Sequence, residues 1–530
     1  MPRRKAAQAQ SERRRLSDGS FATALASAFF VLSFVGIVRH EPWRDELQAW
    51  MVARDAHSLL GVFQNVKYEG NPALWHLLLF AVTRVSGNPF AMAVVHILIS
   101  TLVIAVFARY TALPPLSKVL FTFGYAAFFE FNLISRGYAL GLLFLMAFCA
   151  LYPQRDRRLL ASALVLALAA NTSPFGLMLS VALGAHLLFD HLVRLRRTAS
   201  YPRVAAAGAV LLAGSILSVV QIYPEADNTF PVEYVSGGFA IDRLGFAVSC
   251  ILGSYLPIPD FSDPHFWNRT IFLGWPALSQ FAVSLAFFLV FAAGFLRKRR
   301  LALLYVGGTV LMVAFVYQTR LAYQRYCLHL FILLVICFAL EPHHEEDLQT
   351  PWLRRLSDRV RPWAGRLFIA VLVGGVYAGV GAYLEDLARP FSTSGETAAF
   401  LRAKGVAGLE IIGHTDYIVS PLAALLDTQI YYPERADYGR FIVWNRGRKR
   451  DADFGAVREA VAFMLAKGEK RFLWISDIQP SFTTGTQVHW YEGGDDLIPG
   501  VHITLLGKIP PGITDDEHYV IYLLERAPAR

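Results

Sequence analysis

Charge is scarce in this chain of 530 residues: Asp, Glu, Lys and Arg together make up 17%, against 55% hydrophobic residues. So little charge excludes a string of soluble domains, which the length would otherwise allow, and the mean hydropathy of +0.40 points to a membrane. Cysteine is nearly absent. Cys149, Cys250, Cys327 and Cys337 fall in or beside apolar segments without metal-ligand spacing, which excludes a disulfide scaffold or zinc module and leaves them as small buried hydrophobes. Internal repeats and low-complexity tracts are missing as well. The net charge of +9 is no sign of nucleic acid, because the Lys and Arg residues sit in short loops between apolar runs, where they set orientation.

What the chain has in plenty is apolar runs of about 20 residues, each able to span the roughly 30 Å hydrocarbon layer at 1.5 Å rise per residue. The first covers Phe21 to Val38; others follow at about 72–86, 90–108, 117–131, 135–152, 158–172, 174–193, 203–222, 271–296, 301–318, 323–340 and 367–385. They predict a mainly α fold, a polytopic transmembrane helical bundle. Arginine clusters at Arg155/Arg157/Arg158, Arg194/Arg196/Arg197, Arg297 to Arg300 and Arg354/Arg355/Arg359/Arg361 mark the cytoplasmic side. Residues 1–19 form a basic cytoplasmic tail, and the first run reads as an uncleaved helix because no small-residue cleavage site follows Val38. Four runs separate the loop after it from the Arg155 cluster, where an odd number is needed. One run between 72 and 152 is therefore not a full crossing, and about eleven crossings are predicted.

The transmembrane module then covers 20–388, with external loops at about 39–71 and 223–270. From Arg389 the composition changes. Pro390 breaks the last helix, Thr393 and Glu396 offer a capping box, and short strand-like runs (Leu409–Ile412, Gln429–Tyr432, Arg471–Ile475, Val501–Leu506, Tyr519–Leu524) alternate with helical ones. This predicts a small extramembrane α/β domain over 389–530, on the external face. In a bacterium that means an inner-membrane protein with its N-terminus cytoplasmic and this domain periplasmic; in a eukaryote, luminal.

The stretch Glu41-Pro-Trp-Arg-Asp-Glu-Leu-Gln-Ala-Trp50 organises the rest. Asp45 and Glu46 sit within a few residues of the membrane surface, between Trp43 and Trp50, which suit the headgroup level. Carboxylates there lose hydration, which raises their pKa and suits one of them to take a proton from a hydroxyl. The plainer reading is a cap on an interfacial helix from Asp45 to Ala53. In Tyr68-Glu69-Gly-Asn-Pro-Ala-Leu-Trp-His76, Pro72 opens a helix with Asn71 as N-cap, and the helix start is a ready anion site. In Glu130-Phe-Asn-Leu-Ile-Ser-Arg136-Gly-Tyr138, an arginine at the bilayer edge either binds a lipid-linked phosphate or pairs with Glu130. Arg320 and Arg325, in Gln318-Thr-Arg-Leu-Ala-Tyr-Gln-Arg-Tyr326, clamp a phosphate or merely snorkel. His343-His-Glu-Glu-Asp347 reads as a solvated charge run, and His414 with Asp416 as a loop. Asp260, Asp263 and His265 share the external side and are candidates for holding an acceptor or a metal.

Assembled, these residues make the chain resemble the GT-C superfamily of polytopic glycosyltransferases, in the branches of the protein O-mannosyltransferases and the lipid A aminoarabinose transferase. An Asp-Glu in the first external loop is matched by Asp45-Glu46, and a helix-opening "x-Pro-Pro-Leu-Tyr" loosely by Asn71-Pro-Ala-Leu-Trp75. "Arg-x-Tyr-Ala-Leu" is matched by Arg136-Gly-Tyr-Ala-Leu140, and a late "Arg-Tyr" by Arg325-Tyr326. The likeness covers most of residues 20 to 385. It departs at Asn71, where the group carries a basic residue or histidine, and at Ala73 in place of the second proline. The resemblance implies a GT-C-like bundle transferring a hexose or pentose from a polyprenyl-phosphate donor to a lipid, glycan or protein acceptor. It implies Asp45 with Glu46 as the catalytic carboxylates, and Asn71, Arg136, Tyr138, Arg325 and Tyr326 as the donor-phosphate and substrate contacts. No metal or cofactor is implied, and no nucleic-acid partner. Two other classes compete. A transporter or flippase of a lipid-linked sugar would place charge along mid-helix positions and show repeat symmetry, neither of which the sequence has; an assembly protein would work through its external domain.

Overall fold

The computed structural model describes residues 2–194, 201–229, 239–449, 453–484, 487–494 and 497–527. Arg196 and Arg197, part of one predicted cytoplasmic cluster, lie outside them. The helices in chain order are α1 (Pro2–Arg39), α2 (Arg44–Arg54), α3 (Leu59–Val66), α4 (Leu74–Thr83), α5 (Phe90–Tyr110) and α6 (Pro115–Thr122). A π-helical turn at Tyr125–Glu130 comes next. It is followed by α7 (Tyr138–Leu151), α8 (Leu159–Ala170), α9 (Pro174–Arg194), α10 (Tyr201–Ile222), α11 (Ile241–Tyr255), α12 (Ala277–Phe295), α13 (Arg299–Thr319), α14 (Gln324–Leu340) and α15 (Pro351–Ala388).

Eight helices among the described residues are long and apolar enough to cross a membrane: the Asp18–Arg39 part of α1, then α5, α9, α10, α12, α13, α14 and α15. The runs at 72–86, 117–131, 135–152 and 158–172 fold as shorter pieces. Ten residues of α4 rise only about 15 Å, half a bilayer. The chain is least regular between α6 and α7. After α6 the chain meets Gly124, drops into the π turn, and becomes irregular backbone up to Tyr138. Irregular backbone at such depth survives only inside protein, and residues Phe128 to Ser135 are all buried. Gly379 of α15 lets that segment come close: a Cβ there would meet the Tyr125 nitrogen at 2.7 Å.

The external loop predicted at 223–270 holds more than loop. Its Ile241–Tyr255 segment is α11, which packs on α12, α13 and α14 and buries Ala247, Cys250, Ile251, Leu252 and Tyr255. Asp242, Arg243 and Gly245 interrupt its apolar pattern, so no run stood out.

The predicted arginine clusters converge at one end of the bundle. Arg155, after α7, and Arg300, at the start of α13, both pair with Asp190 of α9. Arg297 and Arg361 share Glu346. The His343–Asp347 run is only partly a solvated one: His344 is buried, with Nε2 2.8 Å from the Tyr152 hydroxyl. α7 and α14 run from this end to the other, where Arg136, Tyr138 and Arg325 lie.

The C-terminal domain is a mixed seven-stranded sheet. Its strands are β1 (Ile411–Gly413), β2 (Ile430–Tyr432), β3 (Asp437–Gly439), β4 (Arg471–Ser476), β7 (Gly493–Gly494), β8 (Val501–Ile509) and β9 (Tyr519–Arg526), while β5 (Ser481–Thr484) and β6 (Gln487–Trp490) make a separate hairpin. The order is β3-β2-β1-β4-β9-β8-β7, with β2, β1 and β4 parallel. α16 (Ser394–Ala403), α17 (Asp416–Val419) and α18 (Pro421–Leu425) accompany one apolar core, and α19 (Phe454–Lys467) a second. The two cores lie on opposite faces of β4, whose Leu473 and Ile475 point into one and Phe472 and Trp474 into the other. The predicted Thr393–Glu396 capping box is not formed. Thr393 Oγ1 donates instead to the Glu517 carbonyl at 2.7 Å, because that acceptor is presented by the loop before β9.

Candidate active site in the first external loop

α2 starts immediately after the first helix leaves the bundle. Its apolar positions Leu47, Ala49, Trp50, Met51 and Ala53 pack with Trp75 and Leu79 of α4, Met92 of α5 and Ala424 of α18. Burying a large apolar side chain contributes roughly 1.5–3 kcal/mol, so these contacts seat the helix firmly. Trp43 and Trp50 are both buried in protein, Trp43 edge-on to Trp267 with centroids 4.6 Å apart.

Glu46 sets the register of the site. One carboxylate oxygen accepts the Trp43 N–H at 3.1 Å, closing the helix start, and lies 3.2 Å from His40 Nε2. The other accepts the Ser135 N–H at 2.6 Å. His40 Nδ1 in turn is 2.9 Å from Asp386 of α15. Glu46 is fully engaged in holding the Arg136 loop against α2 and does not line the cleft. Of the predicted pair, Asp45 is the one that lines the cleft.

Asp45 accepts a hydrogen bond from Arg136 Nη1, and Arg325 Nη2 lies 3.8 Å from the same oxygen. Its side chain is 31% exposed, against 13% for Arg136 and 8% for Arg325. The alternative pairing of Arg136 with Glu130 is not found. Glu130 is buried and accepts from the Tyr125 hydroxyl and from Trp267 Nε1, each at 3.1 Å. The sequence predicts a raised Asp45 pKa, and the structure reverses this. Burial pushes the carboxyl up, but Arg136, then Arg325 and Arg44, outweigh it and hold it below the usual range.

The Arg136 loop is placed from three sides. His96 of α5 puts its ring nitrogens 2.9 and 3.0 Å from the carbonyls of Asn132 and Arg136. Gly137 packs where a Cβ would sit 2.8 Å from the Thr172 carbonyl, so no larger residue fits. Arg325, second residue of α14, sits among four aromatic rings, its guanidinium carbon 4.8–5.3 Å from the centroids of Tyr323, Tyr326, Trp267 and Trp43. Its Nε is buried without a hydrogen-bond partner. Tyr326 stacks on Phe175 and meets Tyr138 edge-on at 6.5 Å.

A small cleft opens here, walled by Asp45, Glu69, Asn71, His76, Arg136 and Tyr138 among others. Asn71 thus reaches the site, though not as an N-cap. α4 begins later, at Leu74, and the Asn71 amide donates to the Glu69 carbonyl at 3.1 Å. The Ala73 N–H is taken by Gln221 of α10. Sequence reading passed over Glu69 and His76 as site residues, since nothing in their spacing marks them. Glu69 accepts from Gln48 at 2.7 Å, and burial, helped by the charge of Asp45, raises its carboxyl to about 7 against Gln48 and Arg136.

The other predicted candidates are not drawn in. Asp263 pairs with Arg269, which also holds Asp515, and His265 Nδ1 lies 2.9 Å from the Gly512 carbonyl; this group fastens the α11–α12 loop to the C-terminal domain. Asp416 is clamped by Arg448 at 2.7 Å through both its oxygens. Arg320 is exposed and caps α13 in a left-handed conformation. Among the described residues no three His, Cys, Asp or Glu side chains are grouped to hold a metal ion.

The C-terminal domain does reach the site. Arg44, next to Asp45, ion-pairs with Asp516, and its backbone N–H donates to Glu517 at 2.8 Å. Gln48 exchanges two hydrogen bonds with the backbone of Ile442.

No protein-family model and no curated protein matches the chain. Among solved structures the chain is similar to ArnT from Cupriavidus metallidurans bound to undecaprenyl phosphate, at 12% identity over 95% of this chain and 98% of that one, with a TM-score of 0.48. The apo state of the same protein gives 14% identity at the same coverage and TM-score.

Proposed function

We propose that the chain is a membrane glycosyltransferase of the GT-C kind, moving a sugar from a polyprenyl-phosphate donor to an acceptor hydroxyl on the external, periplasmic face. The observation that carries this reading is one carboxylate, Asp45, gathered with two nearly buried guanidinium groups, Arg136 and Arg325, at the edge of a cleft beside an apolar bundle. Buried arginines at a membrane edge need an anion, and a lipid-linked phosphate meets them bidentately. In this reading the donor phosphate is neutralised by guanidinium groups and no metal takes part.

Asp45 accepts the proton of the acceptor hydroxyl as its oxygen forms a bond to the anomeric carbon. The bond from that carbon to the phosphate oxygen breaks, and the leaving polyprenyl phosphate keeps the electron pair next to Arg136 and Arg325. Attack opposite the leaving group inverts the anomeric centre. Before the donor arrives, Asp45 is a poor base because both arginines hold it ionised. Phosphate competes for the same guanidinium groups, so donor binding loosens that hold and raises the basicity of Asp45 when it is needed. Tyr138 and Tyr326 line the approach, and Asn71 offers its amide to the transferred group.

Asp45→Ala in the purified full chain, reconstituted with a polyprenyl-phosphate sugar and membrane acceptor, abolishes transfer while the protein stays folded and inserted. Undiminished transfer by this variant would end the proposal.

A further inference from the structure

His76 stands in an unusual position for a buried imidazole. It is 4% exposed, and neither ring nitrogen has a hydrogen-bond partner; the Pro72 carbonyl lies beside the ring at a geometry too poor to count as a bond. A neutral imidazole carries one donor and one acceptor, and leaving such groups unpaired in a buried place is unfavourable. The ring sits on the wall of the cleft that contains Asp45 and Arg136. On the same wall is the Glu69 carboxyl, fixed by Gln48 and free to accept further bonds. Both residues line the same cleft as Arg136, and no hydrogen bond or ion pair joins either of them to its guanidinium.

We propose that His76 and Glu69 form the subsite that reads the hydroxyl or amino groups of the transferred sugar, so that this wall selects the sugar while Arg136 and Arg325 select the lipid phosphate. The inference rests on the donor reading given above. Sugars present donors and acceptors around one ring, and an imidazole with one of each satisfies two neighbouring groups. Glu69, with its raised affinity for a proton, serves a hydroxyl or an ammonium alike. A polar wall built for a hydroxyl rejects an analogue lacking it far more strongly than an apolar wall discriminates by size, since the wall's own groups are then stranded.

The test compares two probes on the full chain in nanodiscs: undecaprenyl phosphate, and a panel of undecaprenyl-phosphate sugars (hexose, pentose and aminopentose). His76→Phe keeps the ring volume and removes both polar atoms; His76→Asn and Glu69→Gln keep partial hydrogen bonding, and melting temperature confirms folding of each. The expected result is that His76→Phe binds the preferred sugar donor about tenfold or more weakly, with undecaprenyl phosphate unchanged and His76→Asn restoring part of the loss. Glu69→Gln changes the order of preference within the panel. Equal loss for both probes, or no loss for either, overturns the subsite. Failure of the wild type to bind undecaprenyl phosphate at all strikes the donor reading itself and takes this inference with it.

Discussion

In the proposed reaction Asp45 and a lipid phosphate are rivals for the same two guanidinium groups, which makes the binding of a substrate fragment sensitive to a residue it never touches. Replacing Asp45 by Asn keeps the size and one acceptor oxygen but removes the charge. At about 4 Å and an effective dielectric of about 20, one unit charge on a guanidinium is worth about 4 kcal/mol before solvation is counted. Water reaches Asp45, which is 31% exposed, so the net hold lies nearer the value of an exposed pair, about 1 kcal/mol, than the 3–5 lost when a buried pair is broken. A net of about 1.4–2 kcal/mol corresponds to roughly tenfold to thirtyfold. Asp45→Asn therefore binds undecaprenyl phosphate about tenfold to thirtyfold more tightly than the wild type while its sugar transfer disappears. Arg136→Gln and Arg325→Gln do the reverse, each weakening the lipid. Microscale thermophoresis on nanodisc-held protein reads all three. Affinity that is unchanged or lower in a folded Asp45→Asn protein would show that the carboxylate does not compete with phosphate, and the gating of its basicity would have to be abandoned.

Two further outcomes follow from the surroundings of the site. Burial lowers the pKa of His40, but Asp386 and then Glu46 outweigh it and raise it well above 6.5. A raised folded-state value means the group's stabilisation is complete below 6.5 and drains away as pH climbs through the raised value. Thermal unfolding in detergent should thus show the wild type's margin over His40→Gln shrinking from about pH 6 upward, and a margin that widens with pH contradicts the charged His40. Arg44→Ala leaves Asp45 in place but frees the first turn of α2 from Asp516. It should lower kcat about tenfold with the donor KM little changed, as expected for lost orientation; a matching rise in KM would mean instead that Arg44 contacts the donor.

The parts of this molecule written in local pattern were legible. Runs of about 20 apolar residues gave the long helices, and the alternation of strand-like and helix-like segments after Pro390 gave the α/β domain. Asp45, Arg136 and Arg325 were found because a charged residue beside an apolar run is rare enough to need a cause. What escaped depends on contacts between distant residues. The role of Glu46 is set by Ser135, 89 residues away, and that of His40 by Asp386, 346 residues away. The depressed Asp45 pKa is likewise a consequence of the arginines meeting it, whereas the loop alone offers only burial, which acts in the opposite sense. α11 was missed because packing, not hydropathy, makes it a core helix. His76 looks like one more residue of a helix start until its ring nitrogens are seen to be bare.

The bond between Arg44 and the C-terminal domain bears on how the site comes into being. The peptide group of Arg44 is held by Glu517, 473 positions further along. A ribosome that has already threaded the first helix into the membrane must therefore translate nearly everything else before the start of α2 gains this last tether. A partly made chain has the guanidinium groups and the packing of α2 on α4 and α5, yet lacks the clamp of Asp516 and Glu517 on the residue next to Asp45.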